Sequence, residues 1–430
     1  MDKTVEDVTH ENGVNLHVVP SKKFKTVTIT AKLKAPLSRD TITKRALLPY
    51  VLQQGTKSFP SRSDIQLKLD SLYGAVLSMG GGKKGNNHIL SIRMEVANQK
   101  FISNESAILE EAMALLNEVI FHPYSENGAF KQSIIDREKD TLRQKMSAII
   151  DDKMSYANMK LIDEMCDNEL YKLHVHGFKE DLDLITAENL FAYHQTVLRE
   201  DQLDIYVLGD FDTATVKEKV QSTFHRDEHQ VEPYKKEEAS KELNLQPNVV
   251  IEKQDIQQAK LHFGYRTHST YQDDDYFALQ VFNGLFGGFP SSKLFINVRE
   301  KNSLAYYAAS RFESHKGLLF VFSGIAPNDY EKAREIIELQ MDAMKNGDFS
   351  AEEMDNTKEL IINQLLETMD DTQGMIELLY QQVVAGTERP PQTLIDGIKQ
   401  VTTENVIEVA NKIELDTIYL LTGKGGESDE

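Results

Sequence analysis

This chain of 430 residues is poor in several things, and each shortage excludes something. It has one cysteine, Cys166, so no disulfide can close within it. The N-terminus, MDKTVEDVTHENG, is acidic and polar and does not read as a signal peptide. Together these point to a reducing, cytoplasmic setting. No apolar run reaches the roughly 20 residues that span a bilayer. Lysine and arginine number 48 against 68 acidic residues, a formal net charge of −20. A field of that sign repels nucleic acid and anionic membranes, which removes both as expected partners. No Gly-x-Ser-x-Gly elbow is present. Cys166 sits in EMCDNE, where acidic neighbours raise a thiol's pKa rather than activate it. What remains is ordinary for a soluble globular protein, 40% hydrophobic and 27% charged, and long enough for two or more domains with full cores.

Period-two alternation marks strands at Val14, Leu16, Val18 and at Val27, Ile29, Ala31, Leu33. RALLPYVLQQ, from Arg45, reads as a short apolar helix that ends before Gly55-Thr56, and Ser61 to Leu72 as a second helix. AVLSM and HILSIRMEV are strands joined by GGGKKGNN, which we read as a glycine-rich turn. It lacks the Gly-Lys-Ser/Thr of a phosphate loop, and no helix opens after it. Glu105 to Phe121 is amphipathic, with Ile108, Ala112, Leu116 and Val119 at helical spacing, and His122-Pro123 stops it. Helical pattern runs from about Phe130 to Ile150 and on to about Glu169. A further helix (Ile185 to Leu198), an apolar strand (Leu203 to Leu208) and a short helix (Ala214 to Phe224) complete the first half.

From His225 to Pro247 the composition turns charged and poor in apolar residues, as in a linker. The order of elements then begins again, and particular residues recur with it. Asp136-x-x-Lys139 returns as Asp355-x-x-Lys358, and an Asp-Asp pair follows each at the same distance, Asp151-Asp152 and Asp370-Asp371. Ile185-Thr-Ala-Glu188-Asn189 returns as Val401-Thr-Thr-Glu404-Asn405, and Leu203-Asp-Ile-Tyr206 as Leu415-Asp-Thr-Ile-Tyr419. Collinear recurrence of this kind indicates internal duplication. The expected fold class is therefore α+β, with two homologous domains, residues 1–224 and 248–430, joined by a linker at 225–247.

The second half carries the most specific motif. Gly287-Gly288-Phe289-Pro290-Ser291-Ser292-Lys293-Leu294-Phe295 is followed by Arg299-Glu300-Lys301 and Leu304-Ala305-Tyr306. This resembles the glycine-rich loop (GGGxSSRLF) and following Arg and Tyr of the pitrilysin, or insulinase-like, zinc peptidases, in the branch that holds mitochondrial processing peptidase. The resemblance runs from Asn12-Gly13 to the last strand. Within it, the chain looks like the firmicute non-peptidase homologues associated with elongation factor P modification. The resemblance implies a processing-peptidase/LuxS-like fold, in which each domain packs helices on one face of a mostly antiparallel sheet. It also implies that Arg299 and Tyr306 act on substrate carbonyls and the oxyanion, with Gly287, Gly288, Phe289, Ser291 and Ser292 lining the substrate.

The same resemblance exposes a loss. The family carries H-x-x-E-H on the helix before Gly-Thr. Registered on Gly55-Thr56, Ala46 and Tyr50 stand in place of the histidines and Pro49 in place of the glutamate. A third family ligand, a glutamate on the later long helix, registers on Gln144. Zinc needs imidazole, thiolate or carboxylate donors, so no metal is expected in this chain. A literal H-x-x-E-H does occur at His225-Arg226-Asp227-Glu228-His229, but in the charged linker and without apolar flanks, so we read it as a decoy. His174-x-His176 offers two histidines alone, too few for a site. By resemblance, the expected function is that of a non-catalytic subunit of a heterodimeric zinc-dependent peptidase. A homologous partner bearing H-x-x-E-H would supply the zinc, and a peptide or unfolded protein would be the substrate. The alternative is a peptide- or protein-binding scaffold with no part in catalysis. On its own the chain is not expected to be an enzyme.

Overall fold

The computed structural model describes residues 6–11, 13–102, 107–226 and 246–423. The first half of the chain forms β1 (Asp7–Glu11), β2 (Val14–Pro20), β3 (Thr26–Pro36), α1 (Ile42–Leu52), α2 (Arg62–Ser71), β4 (Val76–Lys84), β5 (Asn87–Ala97), α3 (Ile108–Phe121), α4 (Gln132–Asp151), α5 (Lys153–Met165), α6 (Lys179–Leu182), α7 (Ala187–Glu200), β6 (Gln202–Gly209) and α8 (Thr213–Thr223). The second forms β7 (Asn248–Gln254), β8 (Ala259–Arg266), α9 (Tyr276–Asn283), β9 (Ala305–Glu313), β10 (Leu318–Ile325), α10 (Tyr330–Lys345), α11 (Ala351–Met369), α12 (Thr372–Ala385), α13 (Pro391–Gln400), α14 (Thr403–Lys412) and β11 (Glu414–Gly423).

Two sheets result. One has the order β1-β2-β6-β3-β5-β4 and the other β7-β11-β8-β10-β9. Leaving β1 aside, the two orders are the same. Each contains one parallel pair, β2 with β6 and β7 with β11, while the other pairs are antiparallel. The recurring residues also do the same work in both halves. Thr186 and Asn189 form a capping box at the start of α7, and Thr402 and Asn405 form one at the start of α14. In each box two of the helix's free backbone N–H groups gain side-chain partners, a gain of about 1 kcal/mol per cap. Lys139 donates to the Ile185 carbonyl at 2.8 Å, and Lys358 donates to the Lys399 carbonyl at 3.4 Å.

The chain forms two compact units. One comprises Met1–Ala148, Leu173–Glu237 and Thr372–Ile376; the other comprises Ile149–Lys172, Glu238–Asp371 and Glu377–Glu430. In the first, α1, α3, α4 and α7 bury Leu48, Leu116, Leu142 and Leu190 against Ile29, Ile92 and Ile205 of the sheet. In the second, α9, α10 and α14 bury Phe282, Ile337 and Val409 against Phe263, Val321 and Ile418. These are the helix layers expected on one face of each sheet. The opposite face of the second sheet is covered as well, by α5. Its Ala157, Leu161 and Met165 pack on Leu318, Phe320, Phe322 and Tyr419. The helical pattern after Ile150 is therefore a separate helix, started by Asp152, whose carboxylate accepts from the backbone of Met154 and Ser155.

The glycine run differs from its reading as a turn. Gly80, Gly81 and Gly82 lie inside β4, the edge strand, and only Gly85-Asn86 form the turn. An edge strand exposed on both faces has few neighbours to pack against, so it tolerates residues without side chains. At Gly81 a Cβ would stand 2.7 Å from the His88 ring. Of the expected linker, Arg226 is buried and fixed. Its guanidinium donates to the carbonyls of Gly13, Leu198 and Asp201, the last at 2.8 Å. Glu228 and His229 of the decoy motif lie outside the described residues.

Candidate functional site

α1 is the helix on which the resemblance places the metal. Ala46 and Pro49 are buried in it, and Tyr50 is half-buried. From α4 it is Lys145, the residue after Gln144, whose ammonium stands 4.8 Å over the Tyr50 ring. Lys145 lies one heptad beyond the buried Glu138, so helix phase was the signal that could have selected it over Gln144. Nearby, Arg137 donates to Gln54 Oε1 at 2.6 Å. A methyl group, a pyrrolidine ring, a phenol and an ammonium do not make a zinc site, and the ammonium repels a cation. Among the described residues, no group of three or more His, Cys, Asp or Glu stands together as a metal site. His176 is held below its ordinary pKa by burial, with Lys145 and His174 adding to the effect, and His174 stacks on Phe178. The residues present do not fit zinc.

α1 is instead anchored by a charge. Arg45 is fully buried, 2.6 Å from Asp201 Oδ2, and donates to the Leu33 carbonyl at 2.7 Å and to His88 Nδ1 at 3.0 Å. Burial opposes the Arg45 charge, but Asp201 and Tyr193 more than offset it, so the guanidinium stays protonated. Burial and the Arg45 charge push His88 down to about 3, which leaves it neutral and able to accept. Nothing in the local sequence announces this pair, because Arg45 precedes an apolar run and reads as a helix-end residue.

The glycine-rich loop lies wholly in the second unit. α9 runs into a π-helical turn, Gly284–Gly288, and a second π-helical turn spans Phe295–Glu300. Such turns are rare and recur at functional sites. The glycines are there because backbone passes close. A Cβ on Gly287 would stand 2.6 Å from the Ser310 amide nitrogen and 2.5 Å from its Oγ. Gly287 and Ser292 are buried, Phe289 is half-buried against the core, and Gly288 and Ser291 are exposed. Arg299 is exposed at the end of the second turn, its guanidinium 4.6 Å over the Phe295 ring and 3.8 Å from Glu300. The segment between it and Tyr306 is closed by two backbone hydrogen bonds, Ser303 to Arg299 and Leu304 to Val298.

Tyr306 stands at an irregularity of β9. Ala305 faces Ile325 and Tyr307 faces Gly324, so Tyr306 is an extra residue in the pairing, a β-bulge. Bulges re-aim side chains. This one leaves Tyr306 71% exposed, while Tyr307 packs against the core that α5 shares with the sheet. Arg299 thus leads by a short turn into the start of β9, where Tyr306 stands, and the glycine-rich loop packs on the middle of the same strand at Ser310. Two residues with no motif signal stand against the loop, Asn283 and Ser310, whose side chains share a 2.8 Å hydrogen bond.

Comparison with known proteins shows the family and the fold. The family model described as the Peptidase M16 inactive domain matches residues 184–361. The chain is 48% identical over 416 residues to the probable inactive metalloprotease YmfF of Bacillus subtilis, covering 97% of each. It is 22% identical over 305 residues to the uncharacterized zinc protease YmxG of the same species, covering 70% of this chain and 72% of that one. Among solved structures, a conserved protein of Enterococcus faecalis superposes with a TM-score of 0.88 at 33% identity, covering 98% of this chain and all of that one. A protease of Helicobacter pylori shares the fold, with a TM-score of 0.83 at 15% identity and cover of 98% and 100%. By its likeness to an inactive metalloprotease over nearly its whole length, and by a metal helix without metal ligands, this chain belongs to the M16 peptidase family as a non-peptidase member.

Proposed function

We propose that the chain is the non-catalytic subunit of a heterodimeric zinc-dependent peptidase, and that it gives substrate-binding groups to a homologous partner that carries H-x-x-E-H and the metal. The observation that carries this reading is selective loss. Ala46, Pro49 and Tyr50 occupy the ligand positions of the metal helix, with the Lys145 ammonium of α4 over the Tyr50 ring, yet Arg299 and Tyr306 stay exposed. A guanidinium and a phenol are both donors, suited to the negative charge that develops on a carbonyl oxygen during peptide hydrolysis. Gly288 and Ser291 of the glycine-rich loop are exposed as well, and would offer backbone and hydroxyl groups to an extended peptide. A scaffold role without catalysis is the second reading, favoured by the buried Arg45–Asp201 pair that fixes α1 in a purely structural way.

Two measurements test the proposal. The purified chain, dialysed against a mild chelator, holds far less than one zinc per chain. Titrated into a homologue from the same organism that carries H-x-x-E-H, it forms a complex and raises hydrolysis of fluorescein-labelled casein. Complex formation without any change in rate supports the scaffold reading instead. A cytoplasmic setting, consistent with the lone reduced Cys166, and a connection to elongation factor P modification belong to the same proposal. Loss of that modification on deletion of the chain would support the latter.

A further inference from the structure

We infer that Asn283 and Ser310 are positioning residues that lock the glycine-rich loop to the strand bearing Tyr306. This deepens the proposed function and rests on it. Asn283 is the last residue of α9, directly before the π-helical turn, and Ser310 lies in β9 beyond the Tyr306 bulge. The Ser310 hydroxyl donates to Asn283 Oδ1 at 2.8 Å. Both partners also touch the loop itself. Ser310 fills the space where a Cβ of Gly287 would be, and the Asn283 amide and carbonyl stand 3.0 Å from where a Cβ of Gly288 would be. Ser310 is 7% exposed, and loss of its hydroxyl would leave the side-chain carbonyl of the half-buried Asn283 without its donor.

The consequence is geometric. The loop and Tyr306 are far apart in sequence, and each sits on irregular backbone, a π-helical turn and a β-bulge, which alone would let them move independently. The Asn283–Ser310 bond ties the residue before the π-helical turn to the regular part of β9, four residues beyond Tyr306. A loop that grips the peptide and a phenol that meets its carbonyl must be held in register, because a misplacement of about 1 Å can cost on the order of 100-fold in rate.

A double-mutant cycle on the complex with the zinc-bearing homologue tests this, with hydrolysis of an internally quenched peptide as the readout. Ser310→Ala is expected to lower kcat about tenfold with little change in the melting temperature. In a Tyr306→Phe background the same substitution is expected to have almost no further effect, since there is no hydroxyl left to position. Asn283→Asp, which keeps the acceptor for the Ser310 hydroxyl, is expected to retain most activity, and Asn283→Leu to lose it. Should Ser310→Ala fail to fold, the Asn283 pair carries the same comparison. Equal losses from Ser310→Ala in both backgrounds, or none in either while Tyr306→Phe is damaging, would overturn the positioning role alone. If Tyr306→Phe and Arg299→Ala are both without effect, the proposed function fails first and the positioning role falls with it.

Discussion

Replacing Arg45 by alanine should unfold the first unit more readily than any loss of one surface charge could. Arg45 is 1% exposed and its partner Asp201 4%. Removing the guanidinium leaves the Asp201 carboxylate buried with its ion-pair partner gone, and the Leu33 carbonyl without its 2.7 Å donor. Breaking a buried pair from one side costs about 3–5 kcal/mol. For a unit near 200 residues that is a fall of roughly 6–20 °C in Tm. The loss should depend on pH in one direction. Burial already holds the Asp201 carboxyl above its ordinary value, and without Arg45 it rises further. A carboxyl whose folded pKa is raised favours the folded state most fully below the unfolded value, about 4, and loses that contribution as pH rises through the folded value. The deficit of Arg45→Ala is therefore full at neutral pH and shrinks toward pH 4, and Asp201→Asn in the same background should recover a large part of it. Urea unfolding followed by circular dichroism measures both. A loss under about 1 kcal/mol at pH 7, or a deficit that does not change with pH, would refute the reasoning.

Three buried histidines make a second prediction. Burial pushes His88 and His262 down to about 3 and His194 to about 4, each well below the unfolded value near 6.5. The unfolded chain then binds protons that the folded chain refuses, so stability falls as pH drops below about 6.5. His17 opposes this weakly, since Asp204 and Glu6 hold it above its usual value despite burial. Both ring nitrogens of His262 are buried without a hydrogen-bond partner among the described residues, and its ring meets Phe322 edge-on at 5.1 Å. His262→Phe should therefore raise stability by about 1 kcal/mol and flatten the acid limb; a less stable variant in thermal melts would contradict this. Gly287→Ala should cost about 1–3 kcal/mol through the clash with the Ser310 backbone, and a Tm equal to the parent's would show that the loop is not packed as described.

Most of the fold was legible because the sequence says it twice. The Thr-x-x-Asn boxes, the Asp-x-x-Lys pairs and the Leu-Asp-(Thr)-Ile-Tyr strands are local features whose physical roles, capping, carbonyl contact and core packing, are the same in both halves. Features that depend on distant partners were not legible. That α5 packs on a sheet from the other half of the chain is decided by the partner surface of Phe320, Phe322 and Tyr419, and no local pattern names a partner. Glycine's punctuating role misled at Gly80–Gly82, where an exposed edge strand replaced a turn. At the candidate site, the motif pointed to Arg299 and Tyr306. The bulge that exposes Tyr306 and the Asn283–Ser310 bond arise only once β9 pairs with β10 and closes on the loop.

The central claim is that this chain lends Arg299 and Tyr306 to a partner's peptidase site. The most direct measurement is the rate at which the H-x-x-E-H homologue hydrolyses an internally quenched peptide, with saturating parent chain, Arg299→Ala or Tyr306→Phe. The parent should stimulate strongly, and either variant should lose on the order of 100-fold in the stimulated kcat, as for removal of an oxyanion donor, while each still binds the homologue as tightly as the parent. Full stimulation by both variants would contradict it.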